Sequence, residues 1–272
     1  MKLKAMNLSK TITFPDSPSV TWERAGLDSK TDILGVSVDT PITKDMLDTY
    51  NPQYILSPTT GLDHIDTGYF FNGDYAKTGR IFFLDQEFKD GIGKTVTSTA
   101  EHAIGLLIAM LRHYDMVFFE KKRHESGIGT KIHGSYYHVI GGGGRIGKMI
   151  ASRMNAFGAI WTSIPEEARF LFISIPLEGN FKRVNKAIFK KLRGAYIVNI
   201  SRRDVINLDD LIWADKAGHV FDYADDFSDS SQIPYTICTP HIGGFTKEDL
   251  EVTTKYVVDR LEEHLKWQKS QL

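Results

Sequence analysis

The segment that most restricts the fold of this chain is GGGGRIG, residues 141–147, which lies between a short apolar run and a segment of helical composition. Gly142, Gly144 and Gly147 have the spacing G-x-G-x-x-G. After a strand and at the start of a helix, such glycines allow a tight turn, a close approach of the backbone to phosphate, and packing of the helix on the strand. The sequence therefore predicts a loop that binds a dinucleotide pyrophosphate, with a purely structural glycine turn as the alternative.

Strand-like and helix-like segments alternate along most of the chain, which predicts parallel sheets covered by helices on both faces. The predicted strands are DILGVSV, QYILSP, YYHVI, FLFISI, AYIVNI, HVFDYA and YTICTP. Residues 97–124 form the longest predicted helix, and because it is apolar on nearly all sides we expect it to be buried between domains or subunits. The last predicted helix, KEDLEVTTKYVVDRLEEHLKW, is expected to return to the N-terminal domain and to make that domain discontinuous.

The segment after Gly158 is too short to complete a dinucleotide site. AIWTSI has the composition of a second strand, but only PEEAR separates it from the next strand. Parallel strands need a crossover of about a dozen residues or more, so a layer of the fold is missing here. Glu166 and Glu167 are the remaining candidates for a carboxylate that binds the adenosine ribose; the alternative is that both belong to a solvated turn. Without that charge-assisted contact, cofactor binding is expected to weaken by about ten- to a hundredfold.

Charged or titratable groups follow three of the predicted strands. These are Arg202, an acidic cluster of Asp222, Asp225 and Asp226, and His241. Ligands of open parallel sheets bind at the carboxyl ends of strands, so these groups are expected to converge. A guanidinium that holds a carboxylate and a carbonyl, an imidazole that exchanges a proton with a hydroxyl, and a carboxylate that keeps the imidazole protonated suit the reduction of a 2-oxo acid by hydride. Taken singly, each residue has a structural alternative.

Five motifs occur in one order along the chain: SPTTGLDHID (57–66), TSTAEHAIGLLIAMLR (97–112), GGGRIGKMIASRMNAFGA (142–159), GAYIVNISR (194–202) and TPHIGG (239–244). In these motifs the sequence resembles the D-2-hydroxyacid dehydrogenase family, and within it the phosphoglycerate-dehydrogenase-like members. The resemblance covers most of residues 33–265. It implies two Rossmann- or flavodoxin-like α/β domains with parallel sheets: a substrate domain of residues 1–95 and 250–272, and a dinucleotide-binding domain of residues 96–249.

The resemblance also implies roles for individual residues. Arg202 orients the 2-oxo acid, His241 donates the proton in reduction, and Asp226 is the candidate carboxylate partner of His241. The implied substrate contacts are Thr60, Gly61 and Leu62, and the implied cofactor contacts are Gly142, Gly144, Arg145, Ile146, Gly147, Thr99, Pro176, Asp222 and Gly244. The cofactor is NAD, with NADP left open because the residue that normally decides between them is absent. No metal site is expected, and a homodimer is implied through residues 100–140.

Three features depart from the family pattern. The catalytic glutamate lies five residues after the strand aspartate, and in this chain that position is Phe227, so Asp226 replaces it only if the loop shifts by one residue. The cofactor-selecting strand, the helix after it and the following strand are largely missing, so the nucleotide-binding domain has lost a βα layer after the glycine loop. The first domain is expected to lack part of its N-terminal strand and helix, because residues 1–22 are short and irregular.

Composition limits the possible partners. The net charge of -1 provides no basic field for nucleic acid, and the single cysteine, Cys238, suits a reducing cytoplasm. The N-terminal residues lack the apolar core of a secretory signal, and the longest apolar run, AIGLLIAML, is about half the length needed to cross a bilayer. We therefore expect a cytoplasmic protein that binds neither nucleic acid nor a membrane.

Three functions stay open at this point. The first is an NAD(H)-dependent oxidoreductase that reduces a small 2-oxo acid to the 2-hydroxy acid. The second is a degenerate relative that binds a ligand or a partner without catalysis, and the third is an enzyme that uses a smaller or different nucleotide. Arg202 and His241 favour the first, because a pure scaffold has no need of this pair at two strand ends.

Overall fold

The structure is a computed structural model that describes residues 2–24, 30–72, 79–114, 129–192, 194–212, 214, 216–223 and 236–271. The chain divides into two compact units. The first unit is Met1–Val96 with Thr246–Leu272, and the second unit is Thr97–Phe245. Within the described ranges, no helix is long and apolar enough to cross a membrane.

The first unit contains a five-stranded sheet whose neighbouring strands are all parallel. Its strands are β1 Leu3–Asn7, β2 Val20–Arg24, β3 Ile33–Gly35, β4 Tyr54–Leu56 and β5 Arg80–Phe82. The order β2-β1-β3-β4-β5 is that of a flavodoxin-like sheet, as predicted. Helices α1 Lys44–Tyr50, α2 Thr67–Asn72 and α3 Gln86–Asp90 connect or follow these strands.

The N-terminal segment is more regular than the sequence analysis expected. β1 forms and pairs in parallel with both β2 and β3, because Ala5 and Met6 are fully buried between them and the rest of the core. The segment 8–19 between β1 and β2 contains no helix. The first strand is therefore present with five residues, against the expectation that part of it is lacking, while the expected loss at the following helix agrees with the absence of any helix from residues 8–19. The alternation of lysines with apolar residues at positions 2–5 is the pattern of a half-buried strand.

The second unit contains six parallel strands in the order β11-β10-β9-β8-β6-β7. They are β6 Tyr136–Ile140, β7 Ile160–Trp161, β8 Phe170–Ile173, β9 Ala195–Asn199, β10 Lys216–Asp222 and β11 Thr236–Thr239. Its α-helices are α4 Ser98–Leu111, α5 Arg145–Ala156, α6 Lys186–Phe189 and α7 Leu208–Ile212. In the doubly wound order 3-2-1-4-5-6, β6 is strand 1 and β7 is strand 2, so strand 3 is absent from the described residues.

Two predicted helices have clear outcomes. α4 ends at Leu111, because His113 adopts a left-handed conformation with φ of 50°, so a single helix through residue 124 is wrong. Residues 115–128 lie outside the described residues. The last helix, α8 Lys247–Ser270, packs in the first unit, where Val257 shares a buried apolar cluster with β1, β3 and β4.

The residues after Gly158 form a strand of two residues and a turn. β7 pairs only with Tyr136 and Tyr137, at the start of β6. The chain then forms a 3-10 turn, Pro165–Glu167, and enters β8 on the other side of β6. Every connecting residue is described, and none forms an α-helix. The expected loss of a βα layer is confirmed, and it is possible because β7 ends beside the start of β6, so the chain only has to pass the amino end of one strand.

The missing layer leaves apolar side chains in solvent. Ile160 and Trp161 of β7 are 48% and 55% exposed, and Ile164 after them is 46% exposed. In a complete doubly wound sheet, helices cover both faces of a strand at this position. The exposure of these side chains follows directly from the shortened connection.

One buried polar side chain lies in the core of the second unit without a role in the predicted site. His219 of β10 is fully buried, and neither of its ring nitrogens has a hydrogen-bond partner in the described part of the chain. Burial, with a smaller contribution from the charge of Lys216, lowers the pKa of the His219 imidazole from 6.5 to about 3. The ring is therefore neutral in the folded protein at neutral pH.

We predict that His219→Leu makes the free energy of unfolding less dependent on pH below pH 6.5. Because the pKa of His219 is lower in the folded than in the unfolded state, the unfolded chain binds a proton first as the pH falls from 6.5 towards about 3. The parent protein should thus lose about 1.4 kcal/mol more per pH unit than the variant in this window. Urea unfolding between pH 7 and 4 measures the difference. Val220→Ala, a core change without a titrating group, should lower stability equally at each pH; equal pH slopes for parent and His219→Leu would contradict the prediction.

Candidate functional site

The glycine loop after β6 has the backbone geometry that close approach to a ligand requires. Gly141 has a φ of +94°, and a Cβ on this residue would overlap the carbonyl oxygen of Ser174. A Cβ on Gly147 would overlap the carbonyl oxygen of Gly141 and lie 2.8 Å from Cα of Gly142. The positive φ thus falls on Gly141, one residue before the first glycine of the predicted pattern, while Gly147 allows α5 to pack directly on the loop.

The N-terminus of α5 points its first amide groups out of this loop. Gly144 is the N-cap residue and makes no side-chain cap, so Arg145 and Ile146 begin a helix of 12 residues whose first turn is not capped by its own side chains. A helix N-terminus carries a partial positive charge and favours an anion. Tyr137 fixes α5 on β6, because its hydroxyl donates to Asn155 Oδ1 at 2.8 Å.

The other candidate residues of the second unit lie at the same edge of its sheet. All six strands are parallel, so their carboxyl ends are together. Pro176 follows β8, Arg202 follows β9, Asp222 ends β10 and His241 follows β11. The strand order therefore arranges these residues in a row that continues to the glycine loop after β6.

The turn that carries Arg202 is fixed by two polar side chains that the sequence analysis did not single out. Ser201 Oγ donates to the carbonyl of Ile173 at 3.1 Å and accepts from the backbone N–H of Ile175 at 2.9 Å. Asn199 Oδ1 accepts from the Ser201 backbone N–H at 3.0 Å, and Asn199 Nδ2 donates to the carbonyl of Arg202 at 3.3 Å. Both side chains are buried, so the turn has little freedom to move.

Arg202 and His241 meet at the carboxyl edge. Arg202 Nη1 lies 3.4 Å from His241 Nε2, and both residues are partly buried. A guanidinium can only donate, so this contact is a hydrogen bond when the imidazole carries its single proton on Nδ1. The structure therefore brings together the two side chains that the sequence predicted for orientation and proton transfer.

His241 is held in a sparsely populated backbone conformation, with a φ of 54°. Asp222 stabilises the loop on both sides of it. The carboxylate accepts hydrogen bonds from Thr239 Oγ1 at 2.9 Å, from the Ile242 backbone N–H at 2.8 Å and from the Gly243 backbone N–H at 2.6 Å. Both oxygens of Asp222 are thus engaged in positioning the loop that carries His241.

His102 completes this network, and the sequence analysis missed it. Its Nε2 lies 3.6 Å from Asp222 Oδ1 and 3.0 Å from Thr239 Oγ1. Burial alone would raise the pKa of Asp222, but the hydrogen bond and charge of His102, with the Ile242 amide and Thr239 hydroxyl, lower it overall. The signal was present in the sequence, since His102 lies one helical turn after Thr99 in the motif TSTAEHAIG.

Thr99 and Gly244 also lie in this region. A Cβ on Gly243 would come within 2.6 Å of Asp222 Oδ2 and within 3.5 Å of Thr99 Cγ2, and a Cβ on Gly244 would lie 3.7 Å from Thr99 Oγ1. The start of α4 therefore packs against the two glycines after His241. Glycine at position 243 is required for the loop to reach the carboxylate.

The predicted substrate loop belongs to the first unit. Thr60, Gly61 and Leu62 follow β4, and the loop is braced by Thr59, whose hydroxyl donates to the carbonyl of Gly61 at 2.7 Å. Ser57 Oγ lies 2.8 Å from Thr59 Oγ1. The loop is compact, and Thr60 is exposed.

The acidic residues of the prediction have different outcomes. Asp225 and Asp226, together with Phe227, lie outside the described residues. Glu166 forms an ion pair with Lys191 at 2.7 Å, and Glu167 accepts a hydrogen bond from Thr162 Oγ1 at 3.2 Å.

The residues present fit one half of a dinucleotide. The glycine loop and the start of α5 suit a pyrophosphate. The adenosine half does not fit, because β7 stops beside the start of β6 and brings no carboxylate to the carboxyl edge.

We predict that Asp222→Asn destabilises the second unit at neutral pH. An amide in place of one oxygen would face a backbone N–H donor, which costs about 1–3 kcal/mol. Because the pKa of Asp222 is lowered in the folded state, the stability it contributes is present above pH 3.8 and is lost as the pH falls through the lower folded value. In urea unfolding, the free energy of unfolding of the variant should therefore be lower than that of the parent at pH 7, and the difference should shrink below about pH 4.

Asp209→Asn is the matched control for this prediction, because Asp209 is exposed at the start of α7. We expect that change to cost less than about 1 kcal/mol. An Asp222→Asn variant as stable as the parent at pH 7 would show that the carboxylate does not hold the loop.

No protein-family model matches the sequence, and no curated protein matches it. Solved structures, in contrast, match nearly its full length. The D-lactate dehydrogenase from Aquifex aeolicus complexed with NAD and lactic acid is 16% identical with a TM-score of 0.74, covering 99% of this chain and 97% of that one.

Two further structures show the same likeness. The NAD-dependent formate dehydrogenase from Staphylococcus aureus in complex with NAD is 18% identical with a TM-score of 0.74, covering 97% of this chain and 96% of that one. An acyclic imino acid reductase in complex with NADPH and D-arginine is 18% identical with a TM-score of 0.77, covering 97% of this chain and 98% of that one. The chain therefore has the α/β fold of the D-2-hydroxyacid dehydrogenases, with two parallel sheets.

Proposed function

We propose that this chain is an NAD(H)-dependent oxidoreductase that reduces a small 2-oxo acid to the corresponding 2-hydroxy acid. The observation that carries the proposal is the approach of Arg202 Nη1 to His241 Nε2, at 3.4 Å, at the carboxyl ends of two parallel strands. The glycine loop lies at the same edge of the same sheet. The groups proposed to orient the substrate, to transfer the proton and to bind phosphate therefore lie along the carboxyl edge of one sheet.

Arg202 acts as the group that orients the substrate. Its planar guanidinium binds the carboxylate and the carbonyl oxygen of a 2-oxo acid through parallel N–H donors. Ser201 and Asn199 keep the turn rigid, so the fork is positioned before substrate arrives. The backbone amides of Thr60, Gly61 and Leu62 are proposed to hold the substrate carboxylate.

His241 acts as the proton donor. When bound, the nicotinamide cofactor supplies the hydride, which is added to the carbonyl carbon of the 2-oxo acid. His241 gives its proton to the carbonyl oxygen, so that hydride and proton together yield the hydroxyl group. We retain Asp226 as the proposed carboxylate partner that keeps the imidazole protonated, and Asp222 as a positioning residue for the loop.

The cofactor is proposed to be held by the glycine loop. Gly142 and Gly144 keep the backbone open to the phosphates, Gly147 packs α5 on the loop, and Arg145 and Ile146 present the first turn of α5 to the pyrophosphate. Thr99, Pro176 and Gly244 are proposed contacts farther along the edge. NAD is the proposed cofactor, with NADP as the alternative, and a cytoplasmic homodimer formed through residues 100–140 completes the proposal.

The rival function is a degenerate relative that binds a ligand or partner without catalysis. The conformation of His241 argues against it. A non-glycine residue at a φ of 54° is maintained by the buried Asp222 network, and strain of this kind collects at functional sites. A binding scaffold would have no need to hold an imidazole in that position against an arginine.

We predict that Arg202→Lys lowers kcat/KM for 2-oxo acids by about ten- to a hundredfold, because the ammonium group cannot make the forked contact. NADH absorbance with glyoxylate, pyruvate and larger 2-oxo acids measures the effect. Arg169→Lys is the matched control, since Arg169 is exposed and directly precedes β8, at the opposite end of the sheet. If the parent protein binds NADH but reduces none of these acids, the result would favour the rival function, binding without catalysis.

A further inference from the structure

The position of β7 decides what the adenosine half of a cofactor can contact. β7 pairs with Tyr136 and Tyr137 only, and the next ladder hydrogen bond, from Thr162 N–H to the carbonyl of Tyr137, is its last. The chain then turns back, and the Arg169 N–H donates to the carbonyl of Tyr136 on entry to β8. The connection therefore stays beside the first three residues of β6, where Thr162 O lies 2.9 Å from His138 Nδ1.

The glycine loop begins at the other end of β6. From Tyr137 to Gly141 is four residues, which at the rise of a strand is about 13 Å. A carboxylate that binds the adenosine ribose has to lie at the carboxyl edge, beside the pyrophosphate. β7 therefore ends about four residues short of the glycine loop and brings no carboxylate to that edge.

The two glutamates of the turn are also engaged where they are. Glu166 pairs with Lys191 at 2.7 Å, and Glu167 accepts from the hydroxyl of Thr162 at 3.2 Å. Thr162 itself is buried, and its Oγ1 accepts from the Ile164 backbone N–H at 3.1 Å. The contacts of Thr162 close the turn on itself, and Glu166 is paired with a lysine between α6 and β9.

The carboxyl half of β6 has no paired strand on its outer side among the described residues. β8 pairs with β6 from Tyr137 to Ile140 on the inner side, whereas β7 ends at Trp161 on the outer side. No strand in the part of the chain that the structure describes forms the wall of an adenosine pocket there. An adenosine attached to a pyrophosphate on the glycine loop would therefore lie beside an open sheet edge.

From this geometry we infer that the chain recognises its nicotinamide nucleotide through the phosphates and the nicotinamide end, and that the adenosine adds little to binding. The class of cofactor that it accepts thus includes nicotinamide nucleotides without adenosine. This inference rests on the proposed function, since it concerns the cofactor of that reaction. The inference also bears on the third function named in the sequence analysis, an enzyme that uses a smaller or different nucleotide. The short β7 is a structural reason for that function.

Two nucleotides that differ only in adenosine test the inference. NADH and reduced nicotinamide riboside 5′-diphosphate both carry two phosphates, and calorimetric titration of the full chain measures both Kd values. A ribose carboxylate is worth about ten- to a hundredfold in affinity, so we expect the two Kd values to differ by less than about tenfold. A truncated nucleotide that binds more than tenfold more weakly overturns the inference and leaves the proposed function intact. Binding of neither nucleotide at millimolar concentration overturns both.

The double variant Glu166→Gln, Glu167→Gln provides an independent readout. Both side chains are predicted to play no part in cofactor binding, so the variant should bind NADH with the parent's Kd, within about twofold, while unfolding by urea confirms that it is folded. A loss of tenfold or more in NADH affinity, with no loss for the truncated nucleotide, would show that one of the glutamates reaches the ribose and would overturn the inference.

Discussion

The parallel ladder around β6 is the constraint on which the site of the second unit depends. β8 pairs with four residues of β6 and β7 with only the first two, so one side of the strand is supported to its carboxyl end and the other is not. The supported side continues through β9, β10 and β11, and it places Arg202, Asp222 and His241 in a row with the glycine loop. The unsupported side is where a doubly wound sheet would continue to its third strand.

Within that row, the buried carboxylate of Asp222 has the largest effect on local geometry. It binds two consecutive backbone amides after His241 and the hydroxyl of Thr239 before it, and His102 Nε2 lies 3.6 Å from its Oδ1. A loop residue with positive φ is thereby fixed against Arg202. The resemblance implies a cofactor contact for Asp222, and the observed contacts of its carboxylate hold the loop that carries His241.

Much of the fold was predictable, because periodicity and glycine placement are local properties. The strands from β3 onward with the exception of β5, the helix α5 with its end at Gly158 and the return of α8 were readable from residue pattern. The early end of α4 was not, since the left-handed conformation of His113 has no signature in its side chain. The missing layer was predictable from length alone. The direction in which the shortened chain crosses β6 was not, because it depends on a register between distant residues, and the same holds for the contact of His102 with Asp222.

The central claim is that the second unit retains the phosphate end of a nucleotide site and lacks the adenosine end. Backbone amide chemical shifts measured by NMR during titration with NADH test it residue by residue. The account predicts shifts at residues 141–147 and at Ile242 and Gly243, and unchanged amides at residues 160–167. Shifts at residues 160–167 as large as those of the glycine loop would contradict the account, because they would place the adenosine against the turn after β7.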